Sequence, residues 1–492
     1  MTSVILALDI GTSSTRALLC DAITVAEIPG ALFAIDHHPD QDESGKSTLD
    51  PEQLVKETVH CITEVLKRAG SDTQIIGVGV SAFWHSFLGV DRDGKELTPV
   101  LLWSDRRSVP QVETLRREMV DTDAYTQRTG CPLHSSYPAG RLLWLQQTDP
   151  EAWKQCHRFL SPSEYLFSRL FGMEHTTVSH SMASGTGLLD QAAGVWDAQT
   201  LSHIPGLSAA NFSPINDAPV AGLLPEFRAL LPTLADIPWF PALGDGACSN
   251  IGCGAVTSGT IALMIGTSGA LRAAVTNTIP PVYPGLWRYQ IDARRYLVGG
   301  ALSNGGSVWA WLKETLNFGN LADDTIEAAI AALPPDGHGL TVLPFLNGER
   351  APLWRDDATG SILGLRGSTT ALEIARAHFE AVAYRFAAVR EPLRLVSPDG
   401  KIIGTGAGLV ASDTWVQIIT DVLGEPVAVS SESQASARGA ALWVREHLGL
   451  GKIEDAPPLK IISEKQPDAL RKAAYEVGRA RHEAALARWL GT

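Results

Sequence analysis

One short motif occurs twice in this chain. Ile10-Gly11-Thr12-Ser13 follows the apolar run Val4-Ile5-Leu6-Ala7-Leu8-Asp9, and Ile265-Gly266-Thr267-Ser268 follows Thr260-Ile261-Ala262-Leu263-Met264, with Arg16 and Arg272 just beyond. The separation, roughly 250 residues, is too long for a solenoid period and points to two related domains. Each copy reads as a strand that breaks at a glycine into small hydroxyl residues and resumes as a second strand, Ala17-Leu18-Leu19-Cys20 in the first case. Such a hairpin aims backbone N–H groups and hydroxyls into one small space. Two of them facing each other across a cleft would grip the phosphates of a nucleotide from both sides. Either copy alone is also what ordinary turn chemistry produces, because glycine and small polar residues populate turns for local reasons. The pair is what argues for a shared task.

At 492 residues the chain exceeds the size at which one hydrophobic core keeps growing, so two domains are expected, divided at 1–254 and 255–492. With 45% apolar and 19% charged residues it reads as a soluble globular chain with a large buried core. A net charge of −14 argues against nucleic-acid or anionic-membrane partners, and requires that an anionic substrate be met by a local cluster of positive groups. No secretory leader and no apolar run of membrane-spanning length is read, which makes a cytoplasmic location the default expectation. The six cysteines form no C-x-x-C pair and indicate neither a zinc site nor a disulfide framework.

Along the chain, strands alternate with helical patterns, as in an α/β layer architecture. Pro51 to Ala69 carries apolar residues at helical spacing behind a start signal at Asp50-Pro51, and Ile75 to Val80 reads as a buried strand. Ala371 to Arg394, Ser412 to Leu423 and Pro467 to Leu490 read as helices, the last amphipathic, and Lys401 to Gly404 as a strand. Trp239 to Gly254, rich in glycine, reads as the crossing between the halves. His37 to Thr48 is expected to be a solvated loop; its Gly45-Lys46-Ser47 lacks the leading glycine and strand of a Walker A motif. Gly77-x-Gly79-x-x-Ala82 suggests a dinucleotide-binding oxidoreductase, but its glycines lie inside the strand instead of after it.

Phosphoryl transfer needs positioned phosphates, a magnesium ion and a group that accepts the proton of the attacking hydroxyl. Asp9 ends the first strand, where a carboxylate can hold Mg²⁺ through water; a turn-capping aspartate is the plain alternative. Asp245 lies between glycines in Gly244-Asp245-Gly246, which lets backbone and ligand approach closely, and it too has the plain reading of a turn residue.

These residues carry a resemblance to the FGGY carbohydrate kinases, which have two ribonuclease-H-like domains of actin/hexokinase type flanking a cleft. It runs nearly end to end, through Asp9 to Arg16, Trp84-His85-Ser86, Trp103 to Arg107, Ser181 to Gly187, Gly244 to Gly254, Gly266 to Gly269 and Gly439-Ala440-Ala441. The resemblance implies an ATP- and Mg²⁺-dependent kinase of a small sugar or sugar acid. The first domain would take the sugar and the second the nucleotide, and a homodimer is left open. It further implies Asp245 as general base and second metal carboxylate beside Asp9. Gly11, Thr12, Ser13, Arg16, Gly266 and Thr267 would lie around the phosphates, and Gly306, Gly408 and Ser412 along the nucleotide site. Trp84, His85, Asp105, Arg106 and His134 are the candidates for the sugar. A histidine packed for structure and a solvated charge run remain the plain readings of His85 and of Asp105 to Arg107.

Within the family, His85 to Asp91, Thr129 to His134, Ser303 to Gly306 and Gly348 to Trp354 look most like gluconokinases, so gluconate to 6-phosphogluconate is the leading reaction. A kinase of xylulose, ribulose or another polyol is the alternative, and a non-enzymatic actin-like ATP-binding scaffold the rival of another class. Four departures stand out: Arg141 where a family signature has Lys, His378 inside another signature, Ala407 for a glycine, and Ser179-His180 for an acidic-aromatic pair. A carboxylate-bearing substrate would need a donor or cation from His85, His134 or Arg106.

Overall fold

The computed structural model describes residues 2–70 and 72–491. The first half builds a five-stranded sheet from β1 (Thr2–Ile10), β2 (Ser14–Asp21), β3 (Glu27–Asp36), β4 (Thr73–Ala82) and β5 (Leu243–Gly244), in the order β5-β4-β1-β2-β3. The three strands β1 to β3 pair antiparallel, whereas β4 runs parallel to β1 and β5 parallel to β4. The second sheet holds β6 (Thr260–Ile265), β7 (Gly269–Thr276), β8 (Trp287–Gln290), β9 (Arg295–Leu302), β10 (Lys401–Thr405), β11 (Val427–Ser430) and β12 (Ile461–Lys465), in the order β8-β9-β7-β6-β10-β11-β12. Its inner part, β9-β7-β6-β10-β11, repeats β3-β2-β1-β4-β5 with parallel and antiparallel pairings in the same places. The duplicated motif is therefore the surface trace of a duplicated topology. Val4 to Leu8 of β1 are buried without alternation, as a central strand covered on both faces requires.

The helices α1 (Pro51–Arg68), α2 (Asp245–Gly252), α3 (Gly306–Thr315), α4 (Ala371–Leu393), α5 (Asp413–Leu423), α6 (Ala435–His447) and α7 (Ala469–Leu490) match the expected spans to within two residues where one was read. Asp50 caps α1 by accepting from Gln53 N at 2.9 Å. One helix ties the halves together: α6 leaves the second sheet and packs on α2, β4 and β1 of the first half. The approach is so close that only glycine fits. A Cβ on Gly439 would stand 1.9 Å from Cys248 O, one on Gly252 1.8 Å from Ala435 O, and one on Gly79 2.5 Å from Ala440 O. The glycines that imitate a dinucleotide fingerprint thus serve the packing of a helix on a strand.

One expectation needs correction. His37 to Thr48 is no simple solvated loop, because Asp40–Gln41 and Ser47–Leu49 pair with each other and with Val100–Leu101, and Pro39 and Gln41 form a roof over the main cavity. Trp239 to Gly254 is the crossing between the halves, and it supplies β5 and then α2. All six cysteines are free, and among the described residues no helix is long and apolar enough to cross a membrane.

Candidate active site

The two hairpins meet. Three-residue loops join β1 to β2 and β6 to β7, and Thr12, Ser13, Thr267 and Ser268 line one cavity of about 630 Å³ between the halves. Gly11 N donates to Ser14 O at 2.8 Å and Gly266 N to Ser268 O at 3.0 Å, which closes the turns. The second turn is further clamped by the start of α3, where Gly306 N donates to Gly266 O and Ser307 N to Thr267 O. A Cβ on Gly306 would meet Gly266 O at 2.5 Å, so that residue must be small. Neither Gly11 nor Arg16 reaches the cavity wall; Arg16 instead stands 4.0 Å from Asp9. The arginines that echo each other in sequence are not equivalent in the ladders: Arg16 pairs with Asp9, one step beyond its turn, whereas Arg272 pairs with Ala262, two residues farther from its own turn. Arg272 alone lines the cavity, and its Nη1 donates to Gly246 O at 2.9 Å.

That contact holds the first turn of α2, and with it Asp245. The Asp245 carboxylate accepts from Gly246 N at 2.7 Å and opens into the cavity. Burial raises its pKa, while Arg272 pulls the other way. Asp9 lies close enough to feel the charge of Asp245; it accepts from Ser81 Oγ at 2.9 Å, and burial pushes its pKa from 3.8 to about 6. Two neighbouring carboxylates fit a hydrated divalent cation that keeps most ligands as water and phosphate. The one cluster of three metal-type ligands among the described residues, Asp336, His338 and Glu380, lies elsewhere and is already bound to Arg376 and Arg481.

Asp9 yields a pH prediction. Its folded pKa exceeds the unfolded one, so the folded state binds more protons and stability falls as pH rises from about 4 to about 6. Ionised Asp9 then costs on the order of 3 kcal/mol at neutral pH. Asp9→Asn is expected to raise the melting temperature by several degrees at pH 8 and to leave it unchanged at pH 3.5, while raising the magnesium concentration needed for turnover. Equal stability of the two proteins at pH 8 would contradict it.

The wall opposite is aromatic. Trp84 lies against three glycines: a Cβ on Gly244, Gly185 or Gly246 would stand 1.8, 2.6 or 2.6 Å from its indole. Its Nε1 donates to Ser181 O at 2.9 Å. His85 has φ 67°, a left-handed conformation unusual for a non-glycine residue, and its Nδ1 is bonded to Gly185 O. Burial depresses its pKa to about 3. His134 is similar: burial lowers it to about 4, and Nδ1 accepts from Ser136 N at 3.1 Å, which leaves the proton on Nε2 near Asp356. Both histidines line the cavity as neutral donors or acceptors, so neither supplies the cation sought in the sequence.

Arg106 does. It lines the cavity rim, and Nη2 donates to the Asp356 carbonyl, which reaches over from the second half. Asp105 must be withdrawn from the sugar site. It is 1% exposed, turned away from the cavity and saturated by Ser47 N, Arg107 N and the Arg107 guanidinium; its role is to fasten the roof. Sequence reading also passed over Arg350. Its motif, Gly348 to Trp354, was noticed without a role for the arginine, yet it lines the cavity over the Trp103 ring, donates to Leu302 O at 3.0 Å and has a buried, unpartnered Nε.

Arg141, the departure from a lysine signature, is explained by its partners. Fully buried, it donates to the carbonyls of Leu101, Leu102, His85 and Ser136 and so fixes the strained His85. Four carbonyls exceed the three donors of a lysine. His378 is a buried helix residue bonded to Ile374 O.

A second cavity, about 920 Å³, gathers Gly266, Thr267, Gly306, Gly408 and Ser412, with Ala407 in its wall. Thr267 and Asn347 line both cavities, so the second hairpin sits where they meet. A Cβ on Gly408 would collide with Ile265 at 2.7 Å. Ser412 caps α5 through Trp415 N at 3.0 Å and donates to Glu327 Oε1 at 2.8 Å.

Two ribonuclease-H-like domains of actin/hexokinase type, closing a cleft between paired turns, define a phosphotransferase architecture. The chain belongs to the FGGY family of carbohydrate kinases: the family's N-terminal domain matches residues 4–252 and its C-terminal domain residues 255–443. It is accordingly an enzyme that phosphorylates an alcohol group of a small sugar-type substrate. A gluconokinase of Bacillus licheniformis is 29% identical over 476 residues, covering 92% of this chain and 89% of that protein. The crystal structure of gluconate kinase from Lactobacillus acidophilus superposes with a TM-score of 0.91 at 25% identity, over 100% of this chain and 98% of the other. Ligand-bound xylulose kinase from the same organism matches equally well, with TM-score 0.91, 25% identity and coverage of 100% and 99%.

Proposed function

We propose that the enzyme transfers the γ-phosphoryl group of ATP to D-gluconate, giving 6-phosphogluconate. The observation that carries this reading is the junction at Thr267 between a cavity holding a carboxylate base, two neutral histidines and three arginines and a second cavity with an aromatic wall. The sugar acid fills the first cavity with its C6 hydroxyl at Asp245, which accepts the proton as the oxygen attacks phosphorus. A base whose pKa burial has raised is better matched to that task than an ordinary aspartate. The hairpin N–H groups and hydroxyls of Thr12, Ser13, Thr267 and Ser268 steady the transferring group, and the nucleotide lies in the second cavity. Asp9 and Asp245 would hold Mg²⁺, which when bound neutralises phosphate charge. Closure of the halves excludes water and limits wasteful hydrolysis.

The same architecture in a xylulose kinase makes a ketose the competing substrate. A coupled assay with MgATP against gluconate, xylulose, ribulose, glycerol and fuculose tests the choice. Gluconate is expected to lead in kcat/KM by at least about tenfold, the factor that 1.4 kcal/mol represents. Efficient phosphorylation of a neutral ketose with no turnover of gluconate would overturn the substrate and leave the reaction class intact.

A further inference from the structure

The second cavity contains a carboxylate with half its bonding capacity committed. Glu327, on the helix Asp323–Ala332, accepts at Oε1 from Ser412 Oγ and from Thr414 N, both at 2.8 Å. These bonds join that helix to the first turn of α5 and fix the orientation of the carboxylate. Among the described residues no donor reaches Oε2, and Glu327 lies in the cavity wall. Beside it stands the partly exposed Trp309, which meets Phe379 edge-on at 5.5 Å and is backed by the buried stack of Phe379 on Trp415, 4.5 Å apart with planes 8° from parallel. An aromatic wall next to one oriented, open acceptor suits a planar heterocycle that carries an N–H donor on its edge.

We propose that Glu327 Oε2 reads the exocyclic amino group of adenine and so sets the base preference of this kinase. The inference rests on the assignment of the second cavity to the nucleotide. A guanine edge, with N1–H and N2–H₂ side by side, pairs best with both oxygens of a carboxylate, and here Oε1 is already engaged by Ser412 and Thr414. A single free oxygen matches the single amino group of adenine. Glutamate at this position was not among the residues singled out from sequence, because its partners lie 85 and 87 residues away.

The test compares ATP with purine riboside triphosphate, which lacks only the 6-amino group, at saturating sugar substrate. In the native enzyme the KM for purine riboside triphosphate is expected to exceed that for ATP by about tenfold, the range of one hydrogen bond to a charged acceptor in a partly wet site. In Glu327→Ala the two KM values should converge, with kcat changed little. A merely structural Glu327 would raise both KM values together and leave their ratio intact, which overturns the proposal; so does a native preference for GTP over ATP. Ala411→Trp, which fills the cavity mouth, separates this from failure of the site itself. If Ala411→Trp raises the KM for ATP while the Glu327→Ala ratio stays native, only the role of Glu327 falls. If Ala411→Trp is silent as well, the nucleotide assignment falls and takes the proposal with it.

Discussion

Asp245→Asn is expected to lower kcat by roughly 10²-fold to 10⁴-fold while ATP affinity changes little. The amide keeps the shape of the side chain and can still accept from Gly246 N, so α2 retains its first-turn contact and its clamp from Arg272. Only the ability to take a proton is lost. Stability should hold or rise, because burial penalises the ionised carboxylate and the amide carries no charge. The pH profile supplies a second reading. A base works only when ionised, so native kcat/KM should fall as pH drops through the raised pKa of Asp245, and the residual activity of the variant should lack that limb. Near-native turnover in a folded variant, or an unchanged acidic limb, would remove Asp245 from the role of base.

How far the site was legible depends on whether its causes are local. The hairpins could be read because glycine and hydroxyl residues at a strand end specify a turn by themselves, and repetition at long range then gave the duplicated fold. The Asp40 to Leu49 roof could not, since its strands have two and three residues and owe their form to Val100–Leu101, far along the chain. Asp105 misled for the same reason. Its neighbours in sequence belong to the cavity wall, while its own oxygens are taken by Ser47, 58 residues away, and by Arg107. Arg16 and Arg272 look equivalent only until register is counted: Arg16 pairs with Asp9, whereas Arg272 stands two residues farther from its turn and reaches the first turn of α2. Arg350 needed the fold outright, since nothing near it in sequence indicates that a loop of the second half closes over a pocket of the first.

On the proposed reaction Arg106 and Arg350 would divide the substrate between them, which separates selectivity from chemistry. Arg350 lies close enough to Asp245 for each charge to shift the other, whereas Arg106 is exposed and tied to the Asp356 carbonyl. On the proposed reaction, with the C6 hydroxyl of gluconate at Asp245, the C1 carboxylate would lie at the opposite end of the carbon chain, and Arg106 is the cation proposed to meet it. Arg106 gives Nη2 to the Asp356 carbonyl and keeps its remaining N–H groups for that carboxylate. A charge-assisted bond of this kind contributes about 1.5 to 3 kcal/mol, toward the lower end at an exposed rim. Arg106→Gln is therefore expected to reduce kcat/KM for gluconate by at least about tenfold, mostly through KM, and to change turnover of xylulose by less than about threefold. Arg350→Met, by contrast, removes a positive group beside the base and should depress kcat for both substrates alike. The measurement is the ratio of the two kcat/KM values in each variant, with melting temperatures taken alongside. If Arg106→Gln lowers gluconate and ketose activity in parallel, the rim arginine only braces the Asp356 loop, and the carboxylate of the substrate must be met elsewhere in the cavity.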